Sequence, residues 1–261
     1  MPRRPLVLDE LVDRLVSRPL AKIIAAVLAP TPVTPNQVTL VSGACGVTAG
    51  VLLALGATWP VALALLGFLV FDCADGQLAR RRGGGSIYGR AFDGVGDYLT
   101  GLGVHVGLGF VMSHALQSVV AGVAASVLAG AALVWASGLL DRYKRRYGGT
   151  RDDLAEIEAA IAAAKGFPRW LLRRFRAYAL RLEADAVAIP DPDAYREKTR
   201  DAMCLFLAGG PTTHYTLLAI ASAFGLAPWY VALALGPGAL LTFATLRMQR
   251  RLEQGVVEAG A

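Results

Sequence analysis

Three stretches of this 261-residue chain contain no Asp, Glu, Lys or Arg: 23–71, 98–140 and 202–246. Only 18% of residues are charged against 55% apolar, and the mean hydropathy is +0.48, which excludes an ordinary soluble enzyme. Cysteine is scarce too. Cys45, Cys73 and Cys204 are odd in number, far apart and without metal-type pairing, so no disulfide framework or cysteine-held zinc is expected and the three read as small apolar residues. An early apolar core is also missing. The opening MPRRPLVLDELVDRL mixes acids into the basic segment, so no cleaved signal peptide is expected. No internal repeat is evident.

What is present is apolar length. A spanning helix needs roughly 20 apolar residues, and each uncharged stretch is about two such spans long. Each has a turn signal near its middle: Gly56 to Pro60, Ser113 with His114, and Gly225 to Pro228. Runs such as VLLALGATWPVALALLGFLVF lack the alternation of a membrane β-strand. The expected class is therefore all-α integral membrane, with six transmembrane helices.

The 26 Lys and Arg are placed on one side of that arrangement: five before Ile23, four between spans 2 and 3, fourteen within 141–200 and three at the C-terminus. The positive-inside rule makes this side cytoplasmic, with both termini inside an inner or cell membrane. The formal charge of +6 then reports topology and attraction to anionic lipid, and no nucleic acid is needed to explain it.

The expected organisation is an interfacial segment 1–30, spans 1–4 over 31–140, a cytoplasmic helical insertion 141–200, spans 5 and 6 over 201–250, and a tail 251–261. In the first segment Leu8, Leu11, Val12 and Leu15 recur at helical spacing until Pro19 interrupts them, as in an amphipathic helix lying on the membrane. The insertion, with fourteen basic and ten acidic residues, cannot enter the bilayer. Thr150 and Asp153 resemble a capping box for a helix over about 151–165 with Leu154, Ile157 and Ile161 on one face and Gly166 as its stop. A second helix is expected from Pro168, its stripe Leu171, Phe175, Tyr178 and Leu182 lying within about 60°. That stripe either enters the headgroup layer or packs on the rest of the cytoplasmic face.

Between Ile23 and Leu140 only eight residues are charged: Asp72, Asp75, Arg80, Arg81, Arg82, Arg90, Asp93 and Asp97. An isolated charge at a membrane helix centre costs ~2.5–3.5 kcal/mol, so four carboxylates near one face call for cations. At 100° per residue, Asp72, Asp75, Gly76, Ala79 and Arg80 span about 140°, and Gly89, Asp93 and Asp97 about 80°. Two polar stripes face each other, and Gly76, Ala79 and Gly89 leave room between them. Four carboxylates balance two Mg²⁺ or Mn²⁺ ions, the metals that hard oxygen donors suit. Two such ions clamp a displacement at phosphorus, and Arg80 adds a planar cation for a phosphate oxygen, which points to a diphosphate.

The segment FDCADGQLARRRGGGSIYGRAFDGVGD contains DxxDGxxAR, eight intervening residues and GxxxDxxxD. It resembles the signature of the CDP-alcohol phosphotransferases, with every position filled by Asp72, Asp75, Gly76, Ala79, Arg80, Gly89, Asp93 and Asp97. The run TPNQVT, Thr34 to Thr39, is similar to a segment that many members carry near the nucleotide site. The resemblance covers about residues 30–140 and weakens over the insertion.

By that resemblance Asp72, Asp75 and Asp93 hold the two metals, with Asp97 as a further ligand or as general base. Asp72, Asp75, Gly76, Ala79, Arg80, Gly89 and Asn36 accommodate the CDP-linked donor, CDP-diacylglycerol or a CDP-polyol. Asp97 takes the proton of an alcohol acceptor and CMP leaves, in phospholipid biosynthesis. A homodimer is implied as well.

Arg81, Arg82 and Arg90 are candidates for an acceptor phosphate or serve only as topological flanks. His214, in the polar run GGPTTHYT, is a candidate lining residue or a packing residue. His105 and His114 have no ligand spacing to a partner. The rival readings are a magnesium-dependent intramembrane prenyltransferase, a carboxylate-lined ion transporter, and a purely structural membrane protein.

Overall fold

The computed structural model describes residues 8–149, 154–183, 189 and 191–259. Among these residues every regular element is helical. The chain runs through α1 (Arg18–Leu28), α2 (Pro35–Ala54), α3 (Trp59–Arg81), α4 (Ile87–Ala115), α5 (Val119–Gly148), α6 (Leu154–Ala163), α7 (Gly166–Glu183), α8 (Pro192–Ala208), α9 (Pro211–Ala223), α10 (Ala227–Leu233) and α11 (Ala239–Ala259). A π-helical turn, Asp13–Ser17, precedes α1, and another, Ala234–Gly238, joins α10 to α11.

Five helical stretches are long and apolar enough to cross a membrane: α2, α3, α4, α5 and the continuous run Ala227–Gly255. The chain is a multi-pass membrane protein, but the expected set of six continuous spans is not met. The fifth expected span breaks between α8 and α9, leaving α9 with 13 residues. The physical cause is local and tertiary together. Gly209 and Gly210 are weak helix formers, and Pro211 has no N–H to continue the ladder, so it starts a new helix. Glu10 then fills the space beside Gly210, where a β-carbon would meet its carboxylate.

The core is built on close approach of α2 to α4. β-carbons added at Gly46, Gly50 or Gly107 would overlap the facing helix, and one at Gly43 would lie 3.6 Å from the Gly96 Cα. Small residues are what let membrane helices gain contact when hydrophobicity no longer drives association. The Ser42 hydroxyl donates to the Phe68 carbonyl at 3.0 Å and ties α3 to the same unit. Leu53, Leu65, Val104, Leu108 and Leu218 fill the interior below.

Around this core the sequence readings fare unevenly. Pro19 does not interrupt the N-terminal helix; the wider π turn ahead of it accommodates the missing N–H, and the helix runs on to Leu28. α1 packs Ala21 and Ala25 on Ala74 and Leu78 of α3 and leaves Leu20, Ile23 and Val27 exposed, the pattern of an interfacial helix. α5 continues past Leu140 to Gly148, with Gly149 closing it at φ +63, so the charged insertion begins inside a helix. Thr150 and Asp153 lie outside the described residues. The α7 stripe faces inward except at Tyr178, which is 39% exposed: Leu171 and Leu182 are buried and Phe175 is half-buried, and Leu171 and Phe175, with the buried Leu172 and Ala179, pack against Ile87, Ala91 and Phe92 of α4 and Ile157 of α6.

Candidate active site

Two helix starts set the site. Thr34 caps α2: its hydroxyl accepts from the Gln37 N–H at 3.3 Å, and the Gln37 side chain accepts from the Thr34 N–H at 2.8 Å. Ser86 caps α4 by accepting from the Gly89 N–H at 2.9 Å. Asn36 and Gly89 therefore lie in first turns, and the two turns meet: a β-carbon at Gly89 would lie 3.4 Å from Asn36 Oδ1. A signature glycine and the candidate donor-binding asparagine, 53 positions apart in the numbering, share one wall.

α3 brings Asp72 and Asp75 to the same end, and α4 brings Asp93. One carboxylate oxygen from each of these three lies within 4.8 Å of the other two. Asp75 is 6% exposed, and its Oδ2 accepts from the Thr39 hydroxyl of α2. Asp93 Oδ1 is buried with no hydrogen-bond partner. Three clustered carboxylates repel each other where water is scarce, and an orphaned buried oxygen costs about 1–3 kcal/mol. A divalent cation answers both demands, and the donors are the hard oxygens such a cation prefers. The residues therefore fit a metal, with no metal identity implied.

Asp97 stands one turn further along α4, outside that triplet but close enough for its charge to act on Asp72, Asp75 and Asp93. Its side of α4 is exposed to solvent. Arg80 folds back over Gly76, where a β-carbon would be 3.3 Å from its guanidinium. Ala79 faces Gly85, 3.8 Å from a β-carbon placed there. The chain turns from α3 to α4 through Gly83 and Gly84, whose φ values of +98 and +120 favour glycine.

The acceptor candidates separate. Arg81 and Arg90 are exposed, at the end of α3 and in the first turn of α4. Arg82 is engaged elsewhere: its guanidinium donates to the carbonyls of Val33 (2.7 Å), Leu28 (2.9 Å), Thr31 (2.7 Å) and Ala29 (3.3 Å), where it caps the end of α1. His214 is not brought to the triplet. It is buried with Nδ1 3.2 Å from the Tyr230 hydroxyl, beside Leu133, Ala136 and Thr242.

Two residues near the site escaped the sequence reading. Thr39 holds Asp75, and its signal was its place one turn after Asn36 in TPNQVT. Tyr215, next to His214, points the other way: its hydroxyl lies 3.5 Å from a β-carbon at Gly101, one turn beyond Asp97. Nothing local distinguishes its direction from that of His214. The N-terminal segment also reaches this region. Asp13 accepts from the Thr212 hydroxyl at 3.2 Å and lies 3.8 Å from the Cys73 sulfur, beside Asp72. Glu10, 1% exposed, accepts from the N–H (2.7 Å) and hydroxyl (2.9 Å) of Thr213 and so caps α9.

Comparison with known proteins agrees with this geometry. The family model described as CDP-alcohol phosphatidyltransferase matches residues 32–174, more than half of the chain. The match extends past Leu140 through α6 and into α7, further than the signature alone indicated. Over 91 residues the chain is 40% identical to a phosphatidylinositol phosphate synthase of Corynebacterium glutamicum, covering 33% of this chain and 38% of that protein. Over 76 residues it is 36% identical to a phosphatidylinositol phosphate synthase of Mycobacterium marinum, covering 29% and 32% respectively. The matched segment thus spans well under half the length of either relative.

Proposed function

This chain belongs to the CDP-alcohol phosphatidyltransferase family, and from that premise we propose that it transfers a phosphatidyl group from CDP-diacylglycerol to the hydroxyl of a small polar alcohol, releasing CMP. The observation that carries the reading is the convergence of Asp72, Asp75 and Asp93, with oxygens within 4.8 Å of each other, next to Gly76 and the folded-back Arg80.

On this reading Asp72, Asp75 and Asp93 hold two Mg²⁺ or Mn²⁺ ions, which when bound offset the diphosphate charge and polarise the phosphorus. Arg80 offers two parallel donors to a diphosphate oxygen. The narrow wall of Asn36, Gly89, Gly76 and Ala79 lets the cytidine end approach the helices. Asp97 accepts the proton of the acceptor hydroxyl. The freed oxygen bonds to the phosphorus distal to cytidine, the bond from that phosphorus to the bridging oxygen breaks, and CMP departs. The place of Asp97 outside the triplet supports the proton-accepting role over that of a ligand.

Both relatives are named for a phosphatidylinositol phosphate product, which puts an inositol phosphate first among the acceptors. Arg81 and Arg90, both exposed, offer cations to its phosphate. The carboxylate cluster and both termini face the cytoplasm, because all four groups of Lys and Arg fall at one end when α8 and α9 together make a sixth, broken crossing. A homodimer is part of the proposal as well. Family membership leaves the prenyltransferase, transporter and purely structural readings without support.

The test is CMP release by the purified, lipid-reconstituted protein from CDP-diacylglycerol with Mg²⁺ or Mn²⁺, across inositol phosphate, inositol, glycerol phosphate and serine, with the lipid product identified by mass. Acceptor-dependent CMP formation is expected. No release with any acceptor, or release unaffected by acceptor, overturns the proposal.

A further inference from the structure

With the apolar stripe of α7 taken up by α4, only polar residues are needed on the outer face of the helix. Instead, Phe167 and Trp170 are 55% and 56% exposed and stack on each other with ring centroids 5.8 Å apart. They share that face with cations. Phe167, Trp170, Arg174, Ala177 and Arg181 fall within about 80° of the helix circumference, with Arg173 adjoining. Arg173, Arg174 and Arg181 are exposed, and none pairs with an acid among the described residues. Arg176, by contrast, is held by Glu158 at 2.7 Å off this face.

The level of the helix is fixed by its contacts. The buried side of α7 lies on Ile87, Ala91 and Phe92, the first turns of α4, and the Tyr178 hydroxyl donates at 2.6 Å to Asp141 near the charged end of α5. The exposed apolar residues of α4, Leu99, Leu102, Val106 and Phe110, begin about two turns further in. α7 thus lies where the apolar surface gives way to charge. Aromatic rings with polar neighbours settle at that boundary, and each arginine near an anionic surface gains roughly 1 kcal/mol, about fivefold in binding.

We propose that the outer face of α7, Phe167 and Trp170 together with Arg173, Arg174 and Arg181, docks onto the anionic phospholipid headgroups of the membrane that the chain spans. The rings enter the headgroup layer and the three guanidinium groups contact lipid phosphates. Of the two arrangements read from the sequence, the Leu171 stripe takes the one that packs on the rest of the protein, and the face left for lipid is the opposite one. This docking is independent of the reaction proposed above.

The test uses the full-length protein in nanodiscs of phosphatidylcholine alone or mixed with phosphatidylglycerol. Hydrogen–deuterium exchange over 166–183 is expected to slow at least tenfold with phosphatidylglycerol, and the slowing to disappear at high salt. Doxyl-labelled lipid is expected to quench Trp170, read as the difference between wild type and Trp170→Phe. Arg173→Gln/Arg174→Gln/Arg181→Gln is expected to abolish the lipid dependence while exchange in α2–α5 stays slow, which separates lost docking from lost folding. Equal exchange in the two lipid mixtures overturns the proposal. So does protection that follows the number of protein copies per disc instead of lipid charge, since the face would then belong to a second copy.

Discussion

The packing of α2 on α4 and the packing of α7 on α4 use the same helix and obey different rules. α2 meets α4 through glycines, with nothing to spare: an added methyl at Gly50 or Gly107 has nowhere to go. α7 meets α4 through Leu171, Leu172 and Phe175, an apolar contact of the kind that joins helices in water. The first contact fixes the distance between the helices that carry Asn36, Thr39, Asp93 and Asp97. The second fixes what covers the first turns of α4. In lipid, where side chains gain little by leaving their surroundings, shape complementarity of small residues sets the geometry; at the charged end, burial from water does.

The largest expected effect tests the reacting end of that unit. Asp97→Asn should lower CMP release by about 10²–10⁴-fold, the usual worth of a general base, while binding of a CDP-linked donor is largely retained. Asp93→Asn should lower turnover as much and also weaken Mn²⁺ binding measured by calorimetry. Normal turnover of Asp97→Asn removes it from the proton-accepting role.

Gly50→Ala comes next. Overpacking typically costs about 1–3 kcal/mol, here in a helix pair that positions the carboxylates, so lower thermal stability in detergent should accompany reduced activity. Gly94→Ala is the control, because nothing lies within 4 Å of a β-carbon there. If the two variants melt alike, close packing of α2 on α4 is not what holds the site.

Leu172→Ala sharpens the contrast from the other side. Leu172 is 2% exposed, and truncating such a residue costs about 2–5 kcal/mol. The loss should be local: faster hydrogen exchange over α6 and α7, with α2–α5 unchanged. Global unfolding would show that the two regions form one cooperative unit.

The smallest effect concerns the N-terminal cap on α9. Burial pushes the Glu10 carboxyl above the usual carboxylate range, against the opposing pull of Lys144 and Thr213. The folded chain then binds this proton more tightly than the unfolded one. The penalty is present above the raised value and is relieved as pH falls through it. Wild type should therefore gain stability relative to Glu10→Gln as the pH becomes mildly acidic, read as the difference between their melting temperatures.

The carboxylate stripes were legible because they lie within single helices. Residues three and four apart on α3 or α4 must share a face, so Asp72 with Asp75 and Asp93 with Asp97 followed from spacing alone. Thr39 was half legible, on a helix whose start was visible as a capping box. Tyr215 and His214 were not separable, since adjacent residues on one helix point about 100° apart and no local rule says which points toward Asp97. Arg82 read as a candidate for an acceptor phosphate or as a topological flank, and its guanidinium caps α1, a contact across some fifty positions.

By itself the sequence determined the helical membrane class, the family signature and which residues could share a face, because charge-free length and helical periodicity are local properties of the chain. Only the tertiary structure decided that Glu10 caps a helix broken at Gly210, that Arg82 holds α1, and that the apolar side of α7 belongs to α4 while its aromatic and basic side faces outward. Those outcomes depend on which surface reaches which partner first at a given depth. A periodic stripe states only that it must be buried, and the partner that buries it is chosen by the fold.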